Sequence, residues 1–309
     1  MIQFSKDSVV CFLGDSITFH SGWFRRVYEY YRLEQKIPCR MYNCGVPGDR
    51  ADHGVWRLED TVFGYNPTHV VVAFGMNDCG IPLFKEAPLS DSEVMERRRV
   101  MDNSIHSFRR IAAQCSKRGI HVTFCTSSTI DELSDNETPI YYGGTAALME
   151  LSLRVRAVAR EIGADLIDYT FPCREMLLRL YKKGQTIVGP DRVHPLPEGH
   201  EFMARLFLRG QGFDVTVPET FEELQELAER PHDAWEEERY RLQQEANCNM
   251  YMEWDFGFGR KSKEAMAEAI AWDDREAIRE REAEYMANRE LIPARRQALI
   301  EFTNTVGKE

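Results

Sequence analysis

The sequence predicts an α/β fold, a three-layer α/β/α arrangement with a five-stranded parallel sheet, followed by a helical extension at the C-terminus. Two observations lead to this prediction. Short, continuous apolar runs alternate with segments that repeat apolar residues every three or four positions, and such runs are typical of strands buried on both faces of a parallel sheet. After about residue 215 the apolar runs stop and strong helix formers dominate, which indicates a second, helical part.

The five apolar runs are the predicted strands, and most of them stop at or beside a glycine. Their bounds are residues 9–13, 39–44, 70–74, 120–126 and 164–169. The predicted helices that alternate with them cover residues 23–34, 94–118, 146–162, 177–181 and 199–208. Because parallel strands need long crossover connections, this alternation places helices on both faces of the sheet.

The chain is predicted to divide into a first domain, residues 1–212, and a helical extension, residues 213–309, packed on it. Within the extension, residues 219–245 have an acidic helical pattern, residues 247–260 resemble an aromatic connector, and residues 261–288 are rich in helix formers. Pro293 marks a break. The extension either caps a site on the first domain or forms the interface of a homo-oligomer, and the sequence leaves both roles open.

The composition argues against several kinds of partner. Lys and Arg total 39 and Asp and Glu total 50 among 309 residues, so the net charge is −11. A surface this acidic repels nucleic-acid phosphates and anionic membranes. The chain also has no run of about 18 apolar residues that would span a bilayer. We therefore expect no nucleic-acid partner and no membrane partner.

Eight cysteines are scattered along the chain, and no two of them form a CxxC pair. Cys11, Cys44 and Cys125 lie in apolar runs, where cysteine usually packs as a small hydrophobic side chain. This pattern favours reduced thiols over a disulfide framework or a zinc site. The first residues also lack the apolar core of a signal peptide, so a cytoplasmic location is predicted.

Polar segments that contain glycine follow the first three predicted strands. Ligands bind outside the carboxyl ends of parallel strands, where such segments meet. Asp191 and His194 come after the fifth strand and add an acid and a base. The three polar segments are Gly14-Asp15-Ser16, Gly45-Val46-Pro47-Gly48-Asp49 and Gly75-Met76-Asn77-Asp78.

Ser16, His194 and Asp191 have the residue types of a nucleophilic triad. A serine hydroxyl needs a base to become a nucleophile at neutral pH. His194 can take that proton and return it to the leaving group, while Asp191 can orient the imidazole and stabilise its charged form. The oxyanion needs donors that are already in place. The backbone N–H groups of Ser16 and Gly48 and the side-chain amide of Asn77 are candidates.

These residues, in this order and each after a predicted strand, resemble the four sequence blocks of the SGNH hydrolases, also called the GDSL esterase family. The similarity covers about residues 8–208 and does not reach the extension. It implies a flavodoxin-like sheet, hydrolysis of carboxylic esters through an acyl-serine, and no metal or organic cofactor. It also implies a nucleophile at Ser16, a base at His194 oriented by Asp191, and oxyanion donors at Gly48 and Asn77.

Several of these residues also have plain structural interpretations. Ser16 suits the N-cap of a helix, Asn77 a turn, and Asp78 a helix cap. Asp15 is interpreted as an acceptor that fixes its loop, so Asp15 and Asp78 are supporting residues. Ile17 stands where the family name has leucine, which is a mild change.

Two arginines depart from the family pattern. Arg192 separates Asp191 from His194, and Arg50 follows the second block. Both would place positive charge near the mouth of the site and favour a polar or anionic substrate, unless they point to solvent or form ion pairs with Asp49 or Asp52.

The predicted substrate is a short acyl ester, acetyl in particular, of a carbohydrate or another small molecule, because the acidic chain shows no apolar lid or membrane-binding segment. His20 or Trp23, just past Ser16, would line the pocket. A lysophospholipase or thioesterase on longer acyl chains stays open as an alternative. A metal-dependent phosphoesterase and a non-catalytic binding module are alternatives from other classes.

Overall fold

The computed structural model describes residues 3–84, 87–247 and 291–308. One parallel sheet lies at its centre, with the strand order β2-β1-β3-β4-β5, which is the flavodoxin-like order. The predicted five-stranded parallel sheet is therefore confirmed. Its strands are β1 (Val9–Gly14), β2 (Arg40–Gly45), β3 (His69–Ala73), β4 (His121–Cys125) and β5 (Asp165–Ile167).

Helices follow each strand and cover the sheet. Those of the first part are α1 (Ser16–Phe19), α2 (Gly22–Glu29), α3 (Ala51–Thr61), α4 (Asp91–Ser116), α5 (Gly144–Ile162), α6 (Thr170–Tyr181), α7 (Pro197–Gly210) and α8 (Phe221–Ala228). The later ones in the described ranges are α9 (Ala234–Asn247) and α10 (Ile292–Thr303). A π-helical turn, Tyr30–Glu34, continues α2, and short 3-10 turns lie at Phe63–Tyr65 and Ile81–Leu83.

Aromatic side chains fix helices on opposite faces of the sheet. On one face the ring of Phe12 lies 4.8 Å from Phe24 of α2, and Trp23 lies 5.6 Å from Phe207 of α7. Elsewhere in the core, Phe124 of β4 meets Phe108 of α4 at 5.0 Å. Burial of rings of this size is a large contribution to stability, so the sheet and its helices form a rigid frame for the loops at the strand ends.

The carboxyl ends of the central strands are level with one another. Gly14, the last residue of β1, pairs with Gly45 of β2 on one side and with Ala73 of β3 on the other. The three polar segments predicted to form a site therefore begin side by side, as expected for the carboxyl edge of a parallel sheet.

Helix α3 was not predicted from the sequence. Gly54 interrupts its apolar pattern, and glycine normally lowers helix propensity. Here a β-carbon at position 54 would lie 2.7 Å from the ring of Phe74, so close packing of α3 on the residue that follows β3 requires glycine. Tertiary contact outweighs the local preference.

Residues 219–245, which have a helical pattern in the sequence, form two helices and not one continuous helix. Helix α8 ends at Ala228 and α9 begins at Ala234. Pro231 lies between them, where its missing N–H and fixed φ stop a helix. Helix α8 packs against α7.

Two compact units divide the chain between Pro231 and His232. In the second unit, the ring of Trp235 on α9 stacks at 5.3 Å on Phe302 of α10, and its indole N–H donates to Thr305 Oγ1. The predicted connector and the predicted helix of residues 261–288 lie outside the described residues. The boundary at residue 212 and the packing of the extension on the first domain remain predictions.

Within the described ranges, no helix is long and apolar enough to cross a membrane. The cysteines in those ranges, which are all except Cys248, are free and buried.

Candidate active site

The turn after β1 presents Ser16 at the carboxyl edge of the sheet. Ser16 is the first residue of α1, and Asp15 is its N-cap, with a carboxylate oxygen that accepts from Ile17 N at 3.0 Å. The N-cap interpretation of Ser16 was therefore wrong, because Asp15 has that role and leaves the hydroxyl of Ser16 available. The turn is tight: a β-carbon at Gly14 would lie 2.3 Å from Thr18 Oγ1.

Ser16, His194 and Asp191 form a continuous hydrogen-bonded relay. The Ser16 hydroxyl lies 2.7 Å from His194 Nε2, and His194 Nδ1 lies 2.5 Å from an Asp191 carboxylate oxygen. The relay joins residues 178 positions apart in the sequence. It has the geometry in which a histidine deprotonates a serine while a carboxylate fixes the imidazole tautomer.

A narrow loop, residues 188–195, holds Asp191 next to His194, and we call it the acid–base loop. Its two sides meet in an antiparallel bridge between Val188 and Pro195, and Gly189 N donates to the His194 carbonyl at 2.7 Å. The Asp191 carboxylate accepts from the backbone N–H groups of Val193 and His194. Burial raises the pKa of Asp191, but these hydrogen bonds and the one from the His194 side chain outweigh it and hold the pKa below its ordinary value. Asp191 is therefore ionised at neutral pH, as an orienting acid must be.

The predicted oxyanion donors lie on the loops after β2 and β3. Gly48 is exposed and has a φ of +75°, a conformation that residues with a β-carbon rarely adopt. A β-carbon there would meet nothing within 4 Å, so the backbone angle, and not crowding, explains the glycine. Asn77 Nδ2 donates to the Asp49 carbonyl at 2.9 Å, and a side-chain amide carries a second hydrogen that can reach an oxyanion.

A buried arginine forms hydrogen bonds to the start of these loops, and the sequence did not predict this role. Arg57 of α3 is fully buried and donates to the Asp49 carboxylate at 2.7 Å. Its guanidinium also donates to the carbonyls of Cys44 and Gly14, which are backbone groups at the ends of β2 and β1. Several donors in a planar array make arginine suited to such a position. The role of Arg57 could not be predicted from the sequence because helix α3 itself was not predicted.

Asp15 and Asp78 are buried carboxyls beneath the site. Burial raises the pKa of Asp15 to about 8, with further increases from Asp78 and Asp49. Burial likewise raises the pKa of Asp78 to about 6. Asp78 Oδ1 accepts from Ala51 N at 2.8 Å, so Asp78 caps α3 from another loop. Both residues hold the loops in place by accepting backbone hydrogens.

The two arginines that depart from the family pattern are both engaged within the protein, and for Arg50 this is the ion pair with an aspartate that the sequence left open. Arg50 forms a two-pronged ion pair with Asp52, with both nitrogen–oxygen distances 3.1 Å. Arg192 is buried and donates to backbone carbonyls of a neighbouring loop. Both guanidinium groups are engaged within the protein.

Of the two residues expected to line the pocket, the structure places His20 beside the relay. The His20 ring lies 5.5 Å from the His194 ring in an edge-to-face arrangement, and the residue is exposed. Burial lowers the pKa of His20, and proximity to His194 lowers it further. Trp23 is instead fully buried in the core.

A three-layer α/β/α fold with a serine–histidine–aspartate relay at the carboxyl edge of its sheet defines an α/β serine hydrolase. The profile of the GDSL-like lipase/acylhydrolase family matches residues 12–202. The chain belongs to this family and is a serine hydrolase that acts on ester bonds. A search of curated proteins finds no significant match.

Solved structures share the fold at low sequence identity. BT4096, described as a gut microbial diltiazem-metabolizing enzyme, is 18% identical, with a TM-score of 0.79 over 100% of this chain and 96% of that chain. Axe2, an acetylxylan esterase from Geobacillus stearothermophilus, is 22% identical, with a TM-score of 0.54 over 69% of this chain and 98% of that chain. An acetyl xylan esterase, AlAXEase, is 24% identical, with a TM-score of 0.51 over 65% and 98%.

Proposed function

We propose that this esterase removes short acyl groups, acetyl in particular, from a carbohydrate through an acyl-serine intermediate on Ser16. The observation that carries the proposal is the relay in which the Ser16 hydroxyl lies 2.7 Å from His194 Nε2 and His194 Nδ1 lies 2.5 Å from Asp191. A serine held in this way is activated for attack on an ester carbonyl.

In the proposed reaction, His194 takes the Ser16 proton as the hydroxyl attacks the carbonyl carbon. Backbone N–H groups of Ser16 and Gly48 and the Asn77 amide receive the oxyanion. His194 then gives its proton to the leaving alcohol, which leaves the acyl group on Ser16. A water activated by His194 releases the acid and restores the serine.

Two lines of support favour a neutral, short-chain substrate such as an acetylated sugar. Arg50 is paired with the Asp52 carboxylate, and Arg192 is buried against backbone carbonyls, so neither guanidinium is presented to an anionic substrate. Axe2 and AlAXEase, which share the fold, are described as acetylxylan esterases. This supports the carbohydrate assignment as a proposal.

The first experiment is hydrolysis of p-nitrophenyl acetate at about pH 8 with EDTA present, comparing the native chain with Ser16→Ala. Loss of a triad nucleophile lowers kcat by several orders of magnitude. Activity that survives EDTA in the native chain and disappears in the variant supports the proposal. Activity abolished by EDTA would instead favour a metal-dependent phosphoesterase, and equal slow rates in both chains would favour a binding module.

The acyl preference is tested with p-nitrophenyl esters of increasing chain length and with acetylated xylo-oligosaccharides. The proposal expects the rate to fall steeply with chain length. A preference for chains of about eight carbons or more would support the lysophospholipase or thioesterase alternative, because a hydrophobic pocket gains free energy with each buried methylene. Diltiazem belongs in the panel because BT4096 is described as metabolizing it.

We also propose that the protein is cytoplasmic and that it assembles into a homo-oligomer through its C-terminal helices. Sedimentation of the full chain over a range of concentrations tests assembly directly.

A further inference from the structure

Arg192 combines two unusual properties at the centre of the acid–base loop. It has a φ of +69°, a conformation that residues with a β-carbon seldom adopt, and it stands between Asp191 and His194. A glycine would accept this angle without strain. The arginine side chain must therefore have a stabilising role that offsets the backbone conformation.

The side chain of Arg192 holds a neighbouring segment by its backbone. Only 2% of the residue is exposed, and its guanidinium donates to the carbonyl oxygens of Thr138 at 2.7 Å, Ser134 at 2.8 Å and Asp131 at 3.0 Å. The Arg192 carbonyl in turn accepts from Asp131 N at 2.9 Å. These bonds connect the loop that carries the acid and base to residues 131–138 of the segment after β4.

That segment, residues 131–142, is also held by its own acidic side chains. The Asp131 carboxylate accepts from the backbone N–H groups of Leu133 and Ser134. The Glu132 carboxylate accepts from Gly144 N and Thr145 N at the start of α5. Hydrogen bonds therefore hold residues 131–142 in place, and we call these residues the wall.

The last part of this wall, residues 139–142, directly follows Thr138, whose carbonyl oxygen lies 2.7 Å from Arg192 Nε in the loop that carries the acid and base. Burial raises the pKa of Tyr141, and the Asp191 carboxylate raises it further, which agrees with a position of Tyr141 close to the loop that carries Asp191. Its neighbours Ile140 and Tyr142 are 40% and 53% exposed. Large, exposed carbon-rich side chains beside a relay can contact a substrate.

The position of this wall indicates which part of the substrate it contacts. His194 must protonate the leaving alcohol, so the alcohol lies next to His194 Nε2. The oxyanion donors Gly48 and Asn77 belong to other loops and receive the carbonyl oxygen. The wall next to Asp191 and His194 is therefore on the side of the alcohol.

We propose that Arg192 is a positioning residue that holds residues 131–142 beside the acid–base loop, and that Tyr141 on this wall contacts the alcohol part of the ester, a group of the size of a sugar ring. The contact with the alcohol rests on the proposed esterase function. The positioning by Arg192 rests on the hydrogen bonds alone.

The decisive variant is Arg192→Gly, because glycine accepts the φ of the native backbone and removes only the three side-chain hydrogen bonds. Acetate release is measured from methyl acetate and from acetylated xylo-oligosaccharide, which share the acyl group. We expect kcat/KM for the oligosaccharide to fall at least tenfold, mainly through KM, and kcat/KM for methyl acetate to change less than threefold. Tyr141→Ala should give the same split, while Arg110→Ala, at an exposed arginine of α4, should change neither.

An equal fall in kcat/KM for both esters, or no fall for either ester, would overturn the proposed contact between the wall and the alcohol. Hydrogen exchange tests the positioning separately, without any substrate. Backbone amides of residues 131–142 should exchange at least tenfold faster in Arg192→Gly than in the native chain, and unchanged exchange would overturn the role of Arg192. If the native chain hydrolyses no ester, the proposed function and the alcohol contact both fail, while the exchange result still decides the positioning.

Discussion

Asn77 Nδ2 lies 2.9 Å from the carbonyl oxygen of Asp49, and this hydrogen bond joins the loop after β3 to the loop after β2. The bond holds the Asn77 amide next to the loop that carries Gly48. The two proposed oxyanion donors, on loops that follow different strands, are thus fixed relative to each other, and such preorganisation is what makes an oxyanion site effective.

Replacing Asn77 by alanine is expected to lower kcat for p-nitrophenyl acetate by about 10²–10³-fold with little change in KM, because the donor acts on the transition state. The free energy of unfolding should fall by only about 1 kcal/mol for the lost bond to Asp49. Steady-state kinetics and urea unfolding measure the two effects. A loss of kcat below about threefold would remove Asn77 from the oxyanion site.

The buried ion pair between Arg57 and Asp49 is expected to be strongly coupled. Arg57→Met alone should lower the free energy of unfolding by about 3–5 kcal/mol, because it leaves the Asp49 carboxylate buried without this partner. Adding Asp49→Asn removes that charge and should recover part of the loss. A double-mutant cycle by urea unfolding gives the coupling. Additive effects of the two substitutions would contradict the pairing.

Asp15 is expected to make the protein less stable as pH rises. Its pKa is about 8 in the folded chain against an ordinary value of 3.8, so between these values the folded chain binds a proton that the unfolded chain has lost. Stability from this group is present below about pH 4 and is lost as pH rises through about 8. Asp15→Asn imitates the protonated acid and keeps a capping oxygen.

The measurement is urea unfolding of Asp15→Asn and the native chain at about pH 5 and about pH 9. The variant should gain stability relative to the native chain between the two pH values. Asp7→Asn, at an exposed position, is the matched control and should show little gain. An advantage of Asp15→Asn that does not grow with pH would contradict the raised pKa.

Gly48 is expected to resist substitution because of its backbone angle. Gly48→Ala should cost about 1–2 kcal/mol of unfolding free energy, since alanine is strained at a φ of +75°. Gly64→Ala is the control, because a β-carbon there also meets nothing within 4 Å and its φ is not positive. Thermal unfolding of both variants compares them. Equal stability would mean that the turn adjusts to alanine.

The sheet and the relay residues could be predicted because their signals are local. Each strand is a short apolar run, and Ser16 follows one of these runs directly. The structure brings Ser16, His194 and Asp191 together as expected.

The supporting structure was less visible, because it depends on contacts between distant segments. Arg57 is polar and looks exposed in the sequence, yet its guanidinium binds backbone carbonyls at two strand ends. Arg192 looked like a surface charge for the same reason. Pro231 is a local signal for the break between α8 and α9, but the acidic composition is continuous on both sides of it and conceals the break.

Labelling with a fluorophosphonate tests the central claim most directly, because this reagent forms a covalent adduct only with an activated serine. The native chain should lose its esterase activity in proportion to labelling, with a single adduct that peptide mapping places on Ser16. Ser16→Ala should not be labelled, and His194→Ala should be labelled far more slowly. Full esterase activity with no adduct on Ser16, or inactivation through a different serine, would contradict the account.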